Sequence, residues 1–263
     1  MEGSSVVVQD NPDQACHQQK SNKAFGSDRV AQSVWYRSYD LRYEADLISR
    51  CFLSGSRVLD LGCGYGRTTV SLKRLGYEVI GTDVVERMIE EARSAHPDMD
   101  YRIMDACAIA FPDSSFDHVL FSFNGIDCIL PESRRLTAMR EIFRVLKPGG
   151  TALLSSHNWL PYLLIPSHLK NGKWLSWFRQ GVLSRRWYSA GVEDLPFDCY
   201  ISTPWRTLRQ LREVGFEQVR IASGQRPLPR FLQRATLLTL CVDLWPHFIA
   251  KKHGSGITEA AHR

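Results

Sequence analysis

Short apolar runs alternate with longer amphipathic segments along most of this 263-residue chain. The runs "SRVLDLG", "YEVIGTD", "FDHVLFSF" and "TALLSSH" have the apolar character of buried strands, and "MDYRIMDA" predicts a short one. The segments between them, "GRTTVSLKRLG", "VERMIEEARSAH" and "ESRRLTAMREIFRVLKPGG", place apolar residues at the spacing of one helix face. Strands that alternate with helices of this length predict a parallel sheet with helices on both of its faces.

The regular alternation stops at residue 158 and resumes after residue 202 with a helix, "TPWRTLRQLREVGF", and two strands, "FEQVRIAS" and "WPHFIAKKH". An aromatic-rich helical segment, "VAQSVWYRSYDLRYEADLISRCF", precedes the first strand. Residues 1–28 are polar and aperiodic and predict a disordered tail, and we expect residues 253–263 to form a flexible one. One domain is therefore predicted over residues 29–252, with residues 158–202 as an insert that caps it.

The composition is that of an ordinary soluble protein, with 44% hydrophobic and 23% charged residues. We find no secretory leader at the amino end and no apolar run long enough to span a bilayer. The seven cysteines are scattered and form no C-x-x-C pair, which argues against a disulfide framework and a zinc site. These features predict a cytoplasmic protein.

Positive charge is concentrated in the carboxyl half, where positions 160–234 hold twelve Lys and Arg against five Asp and Glu. A solvated basic face is the simplest interpretation of this excess. An anionic substrate, RNA or a membrane surface would also be attracted to it, so the charge pattern leaves these three partners open.

The loop "DLGCGYGR" follows the first predicted strand, at the sheet edge where open parallel sheets bind ligands. Its glycines, Gly62, Gly64 and Gly66, would let the backbone approach a ligand with no side chain between them. A dinucleotide-binding fingerprint would place its third glycine at position 67, where Arg67 stands, and the G-K-[ST] of a phosphate-binding loop is absent. Asp60, before the loop, suits a ligand that carries an ammonium group better than one that carries a pyrophosphate.

This D-x-G-x-G-x-G sequence resembles motif I of the class I S-adenosylmethionine-dependent methyltransferases. The resemblance runs from about residue 58 to residue 152, and loosely to the end, where "VGFEQV" and "HFIAKK" look like the family's final strand pair. It implies the α/β, Rossmann-like methyltransferase fold: a doubly wound, seven-stranded, mostly parallel sheet with an antiparallel last strand. The sequence adds an N-terminal helix and an aromatic-rich insert after the fifth strand, which is either a lid over an acceptor pocket or a cap that stabilises the core. The cofactor that the resemblance implies is S-adenosylmethionine.

The resemblance also implies a cofactor site along the carboxyl ends of the first four strands. Asp83 ends the second strand, 23 residues after Asp60, where a carboxylate can accept hydrogen bonds from both ribose hydroxyls or can cap the next helix. Asp105 and Ala106 match the family position at the adenine edge, and Met88 would lie either against the adenine face or in the core. The predicted cofactor-binding residues are Asp60, Gly62, Cys63, Gly64, Gly66, Asp83, Val84, Met88, Asp105, Ala106 and Ser122.

Methyl transfer from a sulfonium mainly requires that the acceptor atom be held in line with the methyl–sulfur bond, so we expect few catalytic groups. An alcohol acceptor would need a general base. His157 is the predicted base because imidazole titrates near neutral pH, and Asp127 is the second candidate; a structural hydrogen bond and a helix cap are their alternative roles. The predicted acceptor-binding residues are Tyr36, Tyr39, Asn124, Asn158 and Trp159.

Together these features predict an enzyme that moves a methyl group to an oxygen atom of a small molecule, with an anionic or sugar-containing acceptor as one option. DNA is not expected as a substrate because no N/D-P-P-Y tetrad follows the fourth strand, and no metal is expected because the acids and His of metal-dependent catechol enzymes are missing. An N-, C- or RNA methyltransferase, or a cofactor-binding protein without turnover, stays open. Arg67 disfavours an NAD-dependent oxidoreductase, and the sequence does not indicate the oligomeric state.

Overall fold

The computed structural model describes residues 19, 22–27, 41, 44–158, 188–189, 198–223, 243 and 245–254. The strands of its main sheet are β1 (Arg57–Leu61), β2 (Glu78–Asp83), β3 (Asp100–Ile103), β4 (Phe116–Phe121), β5 (Leu146–Ser155), β6 (Gln218–Ala222) and β7 (His247–Lys251). The helices are α1 (Ala45–Cys51), α2 (Arg67–Arg74), α3 (Glu86–Ala95), α4 (Glu132–Val145) and α5 (Pro204–Val214), with a 3-10 turn at Gly125–Cys128. Two-residue strands pair His157–Asn158 with Ile201–Ser202, and Tyr188–Ser189 with Asp198–Cys199.

The strand order of the main sheet is β6-β7-β5-β4-β1-β2-β3. Strands β1 to β5 run parallel, and β7 pairs antiparallel with both β5 and β6. The chain order reverses between β1 and β4, and at such a reversal an open parallel sheet forms a crevice at its carboxyl edge. The predicted seven-stranded, mostly parallel sheet with an antiparallel last strand is confirmed.

Apolar side chains pack on both faces of the sheet. Val58 of β1 belongs to a cluster with residues of α1 and α2, whereas its neighbour Leu59 belongs to a second cluster with residues of α4 and α5. Val119 and Leu120 of β4 divide between the two clusters in the same way. Because neighbouring strand residues point to opposite faces, this division shows helices packed on both sides of the sheet.

The structure moves the start of β5. The predicted strand begins at Thr151 after a Pro-Gly-Gly turn, but β5 begins at Leu146, which pairs with Phe116. The register then shifts before His118. A side chain at Gly150 would lie 2.8 Å from two carbonyl oxygens, so this glycine lets the irregular strand continue where a turn was expected.

The predicted tail and insert fall mostly outside the described residues. Residues 22–25, within the predicted tail, form a helical turn. Phe25 packs against a small cluster formed by Tyr65 and Met88, so this short piece is in contact with the glycine loop and α3. The domain boundaries as a whole stay a prediction.

Candidate active site

An open cleft runs along the carboxyl ends of β1 to β4, with a volume of about 1220 Å³ that includes the solvent at its mouth. It lies where the strand order reverses, which is the expected place for a ligand in a doubly wound sheet. Nine of the eleven predicted cofactor-binding residues line it: Gly62, Cys63, Gly64, Asp83, Val84, Met88, Asp105, Ala106 and Ser122.

The glycine loop faces the cleft on one side and packs against the aromatic rings of Phe121 and Tyr101 on the other. Gly62 has a φ of +67°, and a Cβ atom there would lie 2.6 Å from a ring carbon of Phe121. Gly66 has a φ of +85°, and a Cβ atom there would overlap with the hydroxyl of Tyr101. Gly66 does not line the cleft. The structure therefore corrects the role predicted for Gly66: its missing side chain makes room for Tyr101 rather than for a ligand.

Asp83, at the end of β2, joins the glycine loop to the loop before α3. Its Oδ2 accepts a hydrogen bond from the backbone N–H of Gly64 at 2.9 Å, and its Oδ1 accepts one from that of Val85 at 2.9 Å. Burial raises the pKa of Asp83, and the bonds from Val85 and Gly64 oppose this rise. Each carboxylate oxygen can accept more than one hydrogen bond, so the group is oriented by the backbone and can still receive hydroxyl donors from the cleft.

Asp105, after β3, is paired with a cation that the sequence interpretation missed. Its Oδ1 accepts a hydrogen bond from the backbone N–H of Cys107 at 2.8 Å, and its Oδ2 accepts one from Arg134 Nη2 at 2.6 Å. Arg134 lies in the first turn of α4 and lines the cleft together with Asp105. The carboxylate is thus fixed in orientation and shared between the guanidinium and any donor in the cleft.

At the end of β4, Ser122 belongs to a polar cluster with Glu44 and Arg67. Nη2 of Arg67 donates to Glu44 Oε1 at 3.0 Å and to Ser122 Oγ at 2.9 Å, and the Ser122 hydroxyl also donates to Glu44. Burial alone would raise the pKa of Glu44, but the charge and hydrogen bonds of Arg67 and Ser122 hold it below its ordinary value. Glu44 is only 1% exposed, so an ionised, buried carboxylate holds Arg67 at the cleft wall.

Asp60 lies behind the glycine loop and does not line the cleft. One of its oxygens accepts hydrogen bonds from the hydroxyls of Thr68 and Thr69, each at 2.6 Å, and the other has no partner among the described residues. Desolvation raises the pKa of Asp60 to about 6. The structure corrects the predicted contact with a ligand ammonium group, because this carboxylate supports the first turn of α2 instead.

Comparison with known proteins relates the chain to methyltransferases. Residues 58–150, which contain the glycine loop, Asp83 and Asp105, match a family model described as a methyltransferase domain. A ubiquinone biosynthesis O-methyltransferase of Cereibacter sphaeroides is 36% identical over 182 residues, which cover 67% of this chain and 66% of the relative. Residues 58–150 thus form a methyltransferase domain, and these similarities support a class I S-adenosylmethionine-dependent methyltransferase.

Two further similarities agree with this family. A demethylmenaquinone methyltransferase of Beutenbergia cavernae is 34% identical over 111 residues, which cover 41% of this chain and 45% of the relative. A solved S-adenosylmethionine-dependent methyltransferase from Methanosarcina mazei shares the fold, with a TM-score of 0.61, 20% identity, and coverage of 80% of this chain and 98% of that chain. The chain spans less than two thirds of the length of these two curated relatives.

The residues of the methyltransferase cleft fit the family's cofactor, S-adenosylmethionine. Asp83 offers a carboxylate to paired hydroxyls, and Asp105 offers one to an amine. Between them, Val84 and Met88 give the wall an apolar face. Burial raises the pKa of the Cys63 thiol well above its ordinary value, so Cys63 fills space in the loop as a neutral group.

The structure brings the two predicted catalytic residues together at the end of β5. Nδ1 of His157 lies 2.9 Å from Asp127 Oδ2, and the His157 backbone N–H donates to the same oxygen. Asp127 is fully buried, forms an ion pair with Arg135 and accepts a hydrogen bond from Ser156 Oγ at 2.8 Å. Asp127 therefore cannot be a free general base, which corrects that prediction; it orients the imidazole of His157.

The predicted acceptor-binding residues divide into three groups. Asn124 follows Phe123, which lines the cleft, but Asn124 itself is buried and does not line it. Its Nδ2 lies 3.4 Å from His157 Nε2. Asn158 is fully buried, and its Nδ2 donates to the backbone oxygen of Asp243 at 2.9 Å, so the structure places it in a structural link and corrects its predicted role. Tyr36, Tyr39 and Trp159 lie outside the described residues.

The residues missed from the sequence are the charged partners of the predicted ones: Glu44, Arg67, Arg134 and Arg135. Arg67 could have been found, because it directly follows the glycine loop that the motif places in the cleft. Glu44 carried no such signal, because an acid in a helical segment is usually solvated and its partner lies 23 residues further along the chain.

No helix among the described residues is long and apolar enough to cross a membrane. Within the same residues, no three His, Cys, Asp or Glu side chains are grouped as metal ligands.

Proposed function

We propose that this chain transfers the methyl group of S-adenosylmethionine to an oxygen atom of a small-molecule acceptor. The observation that carries the proposal is the cleft itself, which the glycine loop and Asp83 line at the sheet edge. The His157–Asp127 pair is not part of the lining and lies at the end of β5, the strand next to β4. The bound cofactor would supply a methyl group on a positively charged sulfur, which leaves as a neutral thioether when the acceptor oxygen bonds to the methyl carbon.

The residues of the cleft bind and orient rather than react. Asp83 and the Gly64 backbone would fix the ribose, and Asp105 with Arg134 would fix the base. Rigid placement of both reactants supplies most of the acceleration in such a displacement, because the acceptor then meets the methyl group along the required line.

His157 is the proposed proton acceptor. Its Nδ1 lies 2.9 Å from Asp127 Oδ2, and an acceptor oxygen in that place favours the tautomer with the proton on Nδ1 and a free lone pair on Nε2. Asn124 Nδ2, at 3.4 Å, also favours an accepting Nε2. An acceptor hydroxyl in the cleft beside Phe123 would reach His157 Nε2 if the side-chain amide of Asn124 moved out of the way. Support for oxygen as the acceptor atom comes from this pair and from the similarity to an O-methyltransferase.

The names of the relatives suggest the first acceptors to test. One relative belongs to ubiquinone biosynthesis and another acts on demethylmenaquinone, so hydroxylated quinone-type rings come first. Anionic and sugar-containing hydroxyl compounds form a second set. Amines, carbon acids and RNA represent the alternative acceptor classes.

The test is transfer of labelled methyl from S-adenosylmethionine to these acceptors, with the product bond identified by mass spectrometry. We expect an O-methyl product, and a cofactor KM raised at least tenfold in Asp83→Asn, because this change weakens the acceptor of the ribose hydroxyls. Asp98→Asn is the matched control, since Asp98 is exposed in the turn that follows α3. Methylation of nitrogen or carbon only, or no transfer to any set by a protein that binds the cofactor, would contradict the proposal.

A further inference from the structure

We propose that Arg67, held by Glu44 and Ser122, binds the α-carboxylate at the amino-acid end of S-adenosylmethionine. This inference rests on the proposed function, and it assigns the third part of the ligand, after the ribose at Asp83 and the base at Asp105. Near the glycine loop, Arg67 is then the charged residue that contacts the amino-acid end of the ligand. The sequence had suggested Asp60, but its carboxylate accepts hydrogen bonds from the threonine hydroxyls of α2.

Position is the first argument. Arg67 is the first residue of α2, directly after the glycine loop, and its side chain reaches across the cleft to the end of β4. There its guanidinium lies 5.6 Å from the centre of the Phe123 ring, and both residues line the cleft. The adenine and ribose positions are at β3 and β2, on the other side of β1 in the sheet order. An extended nucleoside that spans these strands has its amino-acid end at β4, beside Arg67.

Orientation is the second argument. Glu44 is 1% exposed and the Arg67 side chain 11% exposed, so this ion pair is held away from water. A buried pair is stabilising only when its hydrogen bonds are well satisfied, and here the Ser122 hydroxyl bonds to both partners. The pair fixes the plane of the guanidinium, which can serve several oxygen acceptors at once, before any ligand arrives.

The charges around Arg67 favour an anionic ligand group over a cationic one at this place. Glu44 is ionised but does not line the cleft, and Asp60 lies behind the loop. Burial lowers the pKa of the nearby His247, so this side chain is neutral and adds no second cation. The positive guanidinium is therefore the charged group that a ligand meets at the β4 end among the residues that the structure describes.

The experiment compares two thioethers by titration calorimetry: S-adenosylhomocysteine and its decarboxylated analogue, which keeps the amino group. We expect wild-type protein to prefer S-adenosylhomocysteine by about 10- to 100-fold, the range for a charge-assisted hydrogen-bonded pair. Arg67→Met should remove this preference by weakening S-adenosylhomocysteine alone, and Arg67→Lys should keep part of it. Arg74→Met, which removes an exposed cation from the same helix, should change neither ligand.

Each other result has a defined meaning. Equal binding of the two thioethers by wild-type protein would overturn the assignment, and this comparison holds even if Arg67→Met does not fold. Equal weakening of both ligands by Arg67→Met would show that Arg67 only supports the fold, which also overturns it. Failure of wild-type protein to bind either thioether would instead refute the proposed function.

Discussion

The buried ion pair between Arg135 and Asp127 leads to a strong prediction about stability. Both side chains are 0% exposed. Apart from Asp127, Arg135 donates to Gln210 Oε1 at 3.1 Å, the Ile126 carbonyl at 3.0 Å and Thr207 Oγ1 at 3.2 Å. Arg135→Met keeps the apolar stem but leaves the Asp127 carboxylate buried without its cation.

Removal of one partner from a buried pair costs about 3 to 5 kcal/mol. Asp127 keeps hydrogen bonds from Ser156 and His157, which offset part of this loss, so we expect about 3 kcal/mol for Arg135→Met. A domain of this kind is stable by about 5 to 15 kcal/mol, so the change is large and measurable by urea unfolding followed by circular dichroism.

Two controls isolate the cause. The double variant Arg135→Met/Asp127→Leu removes both charges and should be at least about 1 kcal/mol more stable than Arg135→Met alone, because an apolar pair needs no compensation. Arg209→Met breaks an exposed pair with Glu213 and should cost less than about 0.5 kcal/mol. A loss below about 1 kcal/mol in Arg135→Met, or no recovery in the double variant, would refute the reasoning.

Three further predictions concern pH, backbone and catalysis. Burial lowers the pKa of His118 to about 4, below the 6.5 of an exposed His, so below pH 6.5 the unfolded chain takes up a proton that the folded protein does not. The free energy of unfolding should therefore fall by about 3 kcal/mol between pH 6.5 and 4. In urea unfolding at several pH values, His118→Gln should make this fall smaller. Gly66→Ala should cost at least about 2 kcal/mol by thermal unfolding, and Gly55→Ala, with a φ of +74° but open space around it, should cost about half as much; equal costs would rule out the contact with Tyr101. His157→Ala should lower turnover about a hundredfold or more with cofactor affinity unchanged, whereas activity within a few-fold of wild type would remove His157 from the role.

The sheet and the glycine loop could be predicted because they depend on local patterns. A strand buried on both faces is rich in apolar residues, as β1 and β4 are, and a loop that approaches Phe121 as closely as Gly62 does must lack a side chain. Asp83 could be found for the same reason, since its position at a strand end follows from the strand itself.

The charged partners could not be predicted in this way because burial of a charge depends on contacts made across the fold. Arg135 looks like an ordinary helix arginine, but its acceptors come from residues as far away as Gln210. For Asp60 the sequence indicated a contact that the structure does not show. Its place before the loop indicates a ligand contact, whereas the side chain points to the hydroxyls of Thr68 and Thr69, eight and nine residues further along the chain.

The central claim is that the cleft at β1 to β4 binds S-adenosylmethionine along the glycine loop. A crystal structure of the protein with S-adenosylhomocysteine tests it most directly. We predict the ribose hydroxyls within hydrogen-bond distance of Asp83, with the Gly64 backbone against the ligand. Density for the ligand at another place, or an empty cleft at saturating ligand, would contradict it.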